Sequence, residues 1–391
     1  MISYRLDLYW QNLRVAQLTT FSNLKYGEKL NDFVDCTFDY NVNYIDLILK
    51  QYLTAGLEIR IMRKNDENDE SFKNVWAGRL SEEPSYKMGT NGQETLNFKV
   101  EHFGNYHFLS RKLTATYTNL EETAIVKDVI DTLSFNGYYI GFTVAQLKMI
   151  EGYGSLEITG NLRSKECKKQ DLKSILKQLT EVQDIFPNPI RKRGFRLTPD
   201  LKSQDYKIFS YLANYGVDSG IVLNNALISE LDRGTGGKVA NLITAEGKNT
   251  SVQSTTTSSA ILNFFGLREE TVSFKDVINA TELQNLSNKN LVQKQTPQIV
   301  YSLKLLPNNP TTGLYRAGDL LMIEFTSNYL GKIRQKLRVH EIMIDFDGSN
   351  KETTEIKIGG DDPISLNTSN QEKYIYKLNS SLSRLSSLEI T

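Results

Sequence analysis

From Tyr4 to about Arg111 apolar residues recur mostly at every second position, and that period restricts most of the stretch to half-buried strands. Leu6, Leu8 and Trp10 fall on one face. Leu57, Ile59 and Ile61 alternate with Glu58, Arg60 and Met62, and Leu96, Phe98 and Val100 alternate with Asn97, Lys99 and Glu101. Phe33, Cys36, Phe38 and Tyr40 obey the same rule after a phase slip that predicts a bulge near Asp35. The charged run from Lys64 to Ser71 has no apolar anchor and reads as a hairpin loop. Tyr44 to Tyr52 has helical spacing for a turn or two. The expectation for residues 1–115 is a barrel or strongly twisted sheet of about six strands.

At Asn119 the period changes. Thr118 or Asn119 is placed to cap a helix, Glu121 and Glu122 suit its positive end, and Ala124, Ile125, Val129, Ile130 and Leu133 make one stripe ending near Asn136-Gly137. A second helix, Asp171 to about Gln183, carries Leu172, Ile175, Leu176 and Leu179 and stops before Pro187-Asn-Pro189. Strands follow each helix, over 138–144 after the first and over 194–197 and 221–223 after the second. Residues 116–235 are therefore expected to be an α+β region, with two units of similar helix–strand logic.

The order of elements from Gly236 to Gly360 is equally restrictive. A β-like run over 238–245 is followed by a Thr/Ser-rich loop over 250–259, a helix over 280–294, a strand over 298–306, a turn at Ala317-Gly-Asp319 and three more strands. It predicts a second small barrel, over 236–362, interrupted by one helix. In the polar linker and terminal stretch 363–391, Tyr374, Leu378, Leu382, Leu385 and Leu388 recur at three or four residues. So narrow a stripe is better satisfied by a partner helix than by water, as at the start of a coiled coil, with a helix lying on its own domain as the alternative.

A length of 391 residues predicts several domains, and an aromatic content of 10% favours β-structure. Basic and acidic residues balance at 46 each, so no global field gathers nucleic acid or acidic lipid. The local basic run Arg191-Lys192-Arg193, near Phe195, reads as a solvated turn. Cys36 and Cys167 form neither a disulfide framework nor a zinc site, and Cys36 reads as a buried small hydrophobe. The start Met1-Ile-Ser-Tyr-Arg-Leu-Asp lacks signal-peptide character, and no run approaches the ~20 apolar residues that span a bilayer. Synthesis in a cytoplasm and no stable membrane insertion are expected.

No constellation suited to making or breaking bonds emerges. His102 and His107 flank what reads as a turn, off ligand spacing, and His340 lies in a strand. Glu82 and Glu83, if on a strand, point to opposite faces. Asp345 and Asp347 share a face and, with Asp361 and Asp362, are oxygen ligands a hard cation would accept, yet Asp-Gly there reads as a hairpin turn. Gly234-Thr-Gly-Gly237 precedes a strand rather than a helix, so it reads as a connector and not as a phosphate loop. No catalytic, cofactor-binding or metal-binding residue is assigned, and no enzyme activity is expected.

Asp35-Cys-Thr-Phe-Asp39, Leu57-Glu-Ile-Arg-Ile61 and Val75-Trp-Ala-Gly-Arg-Leu-Ser81 resemble the opening of phage tail hub proteins. The runs Val239–Ala245 and Gly266–Glu270, the helix from Ala280, Tyr315–Asp319, Val339–Gly348 and Glu355–Gly359 look like the second tube-forming domain of the late control protein D and baseplate hub family. That family includes tail-associated proteins of long-tailed phages and the N-terminal part of type VI secretion VgrG spikes. The resemblance covers about residues 1–360. It implies an α+β chain with two barrel tube-like domains and an inserted helix–strand region, closing as a ring-shaped homotrimer between a sixfold tail tube and a threefold tip. The implied partners are tail tube or distal tail protein, tape-measure protein and receptor-binding or tip proteins, with DNA only in transit. The implied location is the virion tail tip, assembled in the host cytoplasm. A glycan- or receptor-binding tip protein and a cell-wall hydrolase are the alternatives.

Overall fold

A computed structural model describes residues 2–359 apart from 12, 65–70, 91, 135–155, 182–193, 200–206, 213–215, 237–238, 276, 296–297, 329–330 and 348–350. The first segment holds eight strands rather than six: β1 (Ser3–Trp10), β2 (Leu13–Leu18), β3 (Ser22–Lys29), β4 (Cys36–Asn41), β5 (Glu58–Lys64), β6 (Lys73–Leu80), β7 (Ser85–Met88) and β8 (Glu94–His102). A short helix, α1 (Leu47–Tyr52), separates β4 from β5, with Asp46 accepting from the Leu49 amide at 2.6 Å as its cap. On β4 the expected alternation holds, with Cys36 and Phe38 fully buried; on β1 Leu6 and Leu8 are fully buried, but Asp7 and Tyr9 of the opposite face are buried too and Trp10 only in part. On β5 both faces are buried, because Arg60 lies over the Tyr9 ring at 3.9 Å and pairs with Glu58 at 2.7 Å.

The middle of the chain contains α2 (Phe103–Phe108), β9 (Lys112–Glu121), α3 (Glu122–Ser134), β10 (Leu162–Asp171), α4 (Leu172–Glu181), β11 (Gly194–Pro199) and β12 (Lys207–Leu212). Two strand–helix units face each other here in matching detail. β9 and β10 pair antiparallel, with Leu162 opposite Glu121 and Asp171 opposite Lys112. Each strand has a residue at positive φ just before its helix, Asn119 at 51° and Lys169 at 49°. The Asn119 amide donates to Ser164 Oγ at 3.0 Å, and the Lys169 amide to Thr114 Oγ1 at 3.1 Å. The acid two residues later caps the helix. Glu121 accepts from Thr123 N at 2.6 Å, and Asp171 from Ser174 N at 2.8 Å. The cap of α3 is thus Glu121, not Thr118 or Asn119, whose positive φ belongs to the strand end. The stripes of both helices bury as expected, Ile125, Val129 and Ile130 on one and Leu172, Ile175, Leu176 and Leu179 on the other. They share a core with Phe33, Phe103 and Phe108 from the first segment and Phe195, Phe209 and Tyr211 from β11 and β12. The strand expected over 138–144, Pro187 to Pro189 and the basic run 191–193 lie outside the described residues.

The last part comprises β13 (Asp218–Asn224), β14 (Ile228–Gly236), β15 (Leu242–Glu246), β16 (Ser251–Thr255), α5 (Ser259–Phe265), β17 (Glu269–Ser273), α6 (Ala280–Lys294), β18 (Gln298–Leu305), β19 (Leu320–Ser327), β20 (Gly331–Phe346) and β21 (Glu352–Gly359). The helix and the final four strands stand where the spacing predicts. Three readings are corrected. Residues 251–255 of the expected Thr/Ser-rich loop form β16, antiparallel to β15, with Val252 and Ser254 turned to its less exposed side. The residues that follow form α5, so this part holds two helices where one was expected. Gly234 to Gly236 lie in β14, paired to Val300, Ile299 and Gln298, rather than in a connector.

Among the described residues two separate closed barrels do not form. Fourteen strands make one sheet in the order β14-β18-β21-β20-β3-β4-β8-β6-β5-β1-β2, with β19 on β20, β13 parallel to β19, and β7 on β8. Among the described residues the ladder is open at both ends. The length of β20, sixteen residues, explains the fusion: its first half pairs with β19, and its second half reaches β3. Nor do β15, β16 and β17 join this sheet. They form their own, against which α6 packs Leu283, Leu286 and Leu291.

Candidate functional site

The sheet's two faces differ sharply where β20 meets β3. On one face Leu24 and Tyr26 of β3, Ile342, Ile344 and Phe346 of β20, and Thr354, Ile356 and Ile358 of β21 are buried in a single core. The other face is polar, as period-two strands require. Basic and acidic side chains are interleaved there: Lys304 on β18, Glu355 beside Lys357 on β21, Glu341 and Asp345 on β20, Lys25 and Lys29 on β3, Asp39 on β4 and Lys99 beside Glu101 on β8. Lys25 pairs with Asp345 at 3.0 Å, Lys29 with Glu341 at 3.7 Å and Lys357 with Glu341 at 3.3 Å. Asn97 and Asn23 donate to the two oxygens of Asp39 at 2.8 and 2.7 Å. At Gly27, opposite Met343, a Cβ would stand 2.2 Å from the Ile342 carbonyl oxygen, so glycine alone lets the two strands close.

Beneath this face a buried polar cluster ties the halves together. Arg63 of β5 grips Glu352 of β21 with two bonds, Nε to Oε2 at 2.8 Å and NH2 to Oε1 at 2.9 Å. Tyr4 donates to Glu352 Oε2 at 2.5 Å and meets Tyr26 Oη at 2.9 Å. Burial, together with the neighbouring Tyr26 and Glu352, pushes the Tyr4 phenol well up. Burial would lower Arg63, but its bonds to Glu352 outweigh that and move it upward. Asn308, at φ 56°, accepts from the Glu352 amide at 2.8 Å.

The middle region is anchored at two places. Asp32, after β3, takes Lys173 at 2.5 Å and Lys177 at 2.6 Å from α4. Arg163 of β10 bridges Glu122 of α3 at 2.7 Å and Glu282 of α6 at 3.3 Å. Tyr211 also donates to Glu122.

The residues weighed for chemistry are dispersed. His102 caps α2, which is a helix rather than the expected turn. Its Nδ1 accepts from the Gly104 amide at 3.0 Å and its ring stacks on Phe33 at 4.9 Å. His107 lies inside that helix, and His340 meets the Gly359 carbonyl at 3.1 Å. Glu82 and Glu83 sit exposed in a bend between β6 and β7. Asp345 is on β20 but Asp347 is past its end, accepting from the Lys351 amide at 3.3 Å. Both cysteines are buried and free of disulfide. Among the described residues no group of three His, Cys, Asp or Glu side chains is placed to hold a metal ion, and no helix is long and apolar enough to cross a membrane. Asp361, Asp362 and the leucine stripe to Leu388 lie outside the described residues.

No family model matches the sequence, and no curated protein matches it. Comparison with solved structures defines the class: the chain has the fold of phage tail proteins and of VgrG complexes, so the resemblance read from the sequence holds at the level of fold. The 43 kDa tail protein of prophage MuSo2 from Shewanella oneidensis aligns over 93% of this chain and 100% of its own, at 11% identity and a TM-score of 0.57. The tail protein from Neisseria meningitidis MC58 aligns over 92% and 97%, at 10% identity and 0.53. A chain of the half-lidded Francisella PdpA–VgrG complex aligns over 92% of this chain but 57% of its own, at 9% identity and 0.54.

Proposed function

We propose that this chain is a structural, non-enzymatic component of a phage tail tip, a trimeric hub that joins a sixfold tube to a threefold tip. The observation that carries the reading is the continuous sheet. Two halves far apart in sequence share β20 and one core, so each subunit offers two linked arcs of sheet, and three subunits would present six arcs to a sixfold tube. The polar face with interleaved charge is suited to line a channel, because balanced charge leaves passing DNA no basic track to bind. The proposed division is a first sheet half over 1–115, the middle region over 116–235, a second half over 236–362 and a terminal segment over 363–391.

On this reading the neighbours are tube or distal tail protein, tape-measure protein and tip proteins, with the protein located in the virion and assembled in the host cytoplasm. Light scattering coupled to gel filtration, followed by electron microscopy of the peak, tests it. A mass three times that of the 44.5 kDa chain and a ring with a central hole are expected. A monomer that stays monomeric as concentration rises overturns it.

A further inference from the structure

Where the start of β1, the connection from β2 to β3 and the end of β4 meet, the protein has a groove of about 450 Å³. This is within the size of small-molecule sites, roughly 300–1,000 Å³. Its floor is aromatic. Tyr4 and Phe346 lie 4.7 Å apart between ring centroids, and Phe21 packs on Phe346 at 6.1 Å. One wall carries Tyr44, which is 60% exposed although its neighbour Tyr40 is buried. The rim is made of hydroxyls, including those of exposed Thr19 and Thr20, together with the carboxamide of Asn41 and the carboxylate of Asp39.

The chemistry of this lining is selective. Among the described residues Asp39 is the only charged one in the lining, and no lysine, arginine or histidine takes part, so phosphate, nucleotide and other anionic ligands find no counter-charge there. The Asp39 carboxylate is held in place by Asn23 and Asn97, one bond to each oxygen, which leaves each oxygen a further lone pair for a ligand hydroxyl. An accessible aromatic face beside fixed acceptors and hydroxyls suits a ligand with one apolar face and a rim of neutral hydroxyls. A pyranose ring has that form, with C–H bonds on its face and hydroxyls at its edge.

We propose that this groove binds a neutral mono- or disaccharide unit, with Tyr44 as the stacking platform and Asp39 and Asn41 holding ring hydroxyls. The site goes beyond the hub role and does not depend on ring assembly. The test is titration of the full chain, labelled with 3-fluorotyrosine, with maltose, lactose and chitobiose, and with glycerol 1-phosphate as the anionic control. At least one disaccharide is expected to shift the Tyr44 resonance saturably, with a Kd of about 1 mM or tighter, while glycerol 1-phosphate does not. Tyr44→Ala, at an exposed position, should weaken binding roughly 3- to 10-fold, read by calorimetry. Thr19→Trp, which fills the groove from its exposed rim, should abolish binding with the circular dichroism spectrum unchanged. No response to any of the three disaccharides, equal binding of glycerol 1-phosphate, or an affinity indifferent to both variants overturns the proposal.

Discussion

Arg63 and Glu352, separated by 289 positions in the chain, form a two-bond ion pair whose side chains are 5% and 0% exposed. The pair joins β5 of the first half to β21 of the second. Removing one member leaves the other charged in a core with nothing to balance it, which costs about 3–5 kcal/mol. Arg63→Met and Glu352→Gln should each lower the unfolding free energy by that amount in urea titrations. Replacing both together should cost less than the sum of the two, because the double variant buries no orphan charge.

Gly27 is the second fastening of the seam. A methyl group there would meet the Ile342 carbonyl oxygen and, at 2.8 Å, the Met343 sulfur. Backbone cannot yield as a side-chain tip can, so Gly27→Ala should push β3 from β20 and destabilise the protein by about 2 kcal/mol or more. Hydrogen exchange should locate the damage. Amides of residues 24–29 and 341–346 are expected to lose protection while β9 and β10 keep theirs, and uniform protection across the seam would contradict this account.

His102 gives the fold a dependence on pH. Burial, with the Lys173 ammonium adding to it, draws this imidazole down to about 3. The unfolded value is about 6.5. The folded value is the lower one, so the contribution to stability is complete above about pH 6.5 and is lost as pH falls toward 3, at about 1.4 kcal/mol per pH unit. Protonation also ends the acceptor role of Nδ1 toward Gly104. His102→Asn keeps a capping oxygen but binds no proton there. Between pH 6.5 and 4.5 the wild type should lose about 2–3 kcal/mol more than this variant in urea unfolding, and identical pH profiles would rule the linkage out.

Most strands were legible because one buried face imposes period two, and α6 and α4 because their leucines recur at helical spacing. The seam was harder to see, although its residues left a signal. Arg63 continues the phase of Leu57, Ile59 and Ile61, and Glu352 the phase of Thr354, Ile356 and Ile358, so each is a charge on an apolar face. Such a charge demands a partner, yet nothing local says that the partner lies at the far end of the chain. The fusion of two expected barrels into one sheet was hidden for the same reason. Which strand β20 joins beyond β19 and β21 is decided by a contact with β3, more than 300 residues away in sequence. The capping by Glu121 was missed because positive φ at Asn119 moves the helix start by two residues.

The charge pattern of the polar face bears directly on the proposed channel. Lys25 and Lys29 are matched by Asp345 and Glu341 across the seam, so this face holds a polyanion no more tightly than water does. Reversing two signs changes that. Glu341→Lys with Asp345→Lys takes these ion-pair partners from Lys25, Lys29 and Lys357 on neighbouring strands and builds a basic strip. Wild type is expected to bind double-stranded DNA more weakly than about 100 μM at physiological salt, whereas the double variant should enter the range of about 1–100 μM and weaken steeply as salt is raised. Fluorescence anisotropy with a labelled duplex measures both. If the wild type already binds with a steep salt dependence, the face is a DNA-holding surface and not a neutral lining.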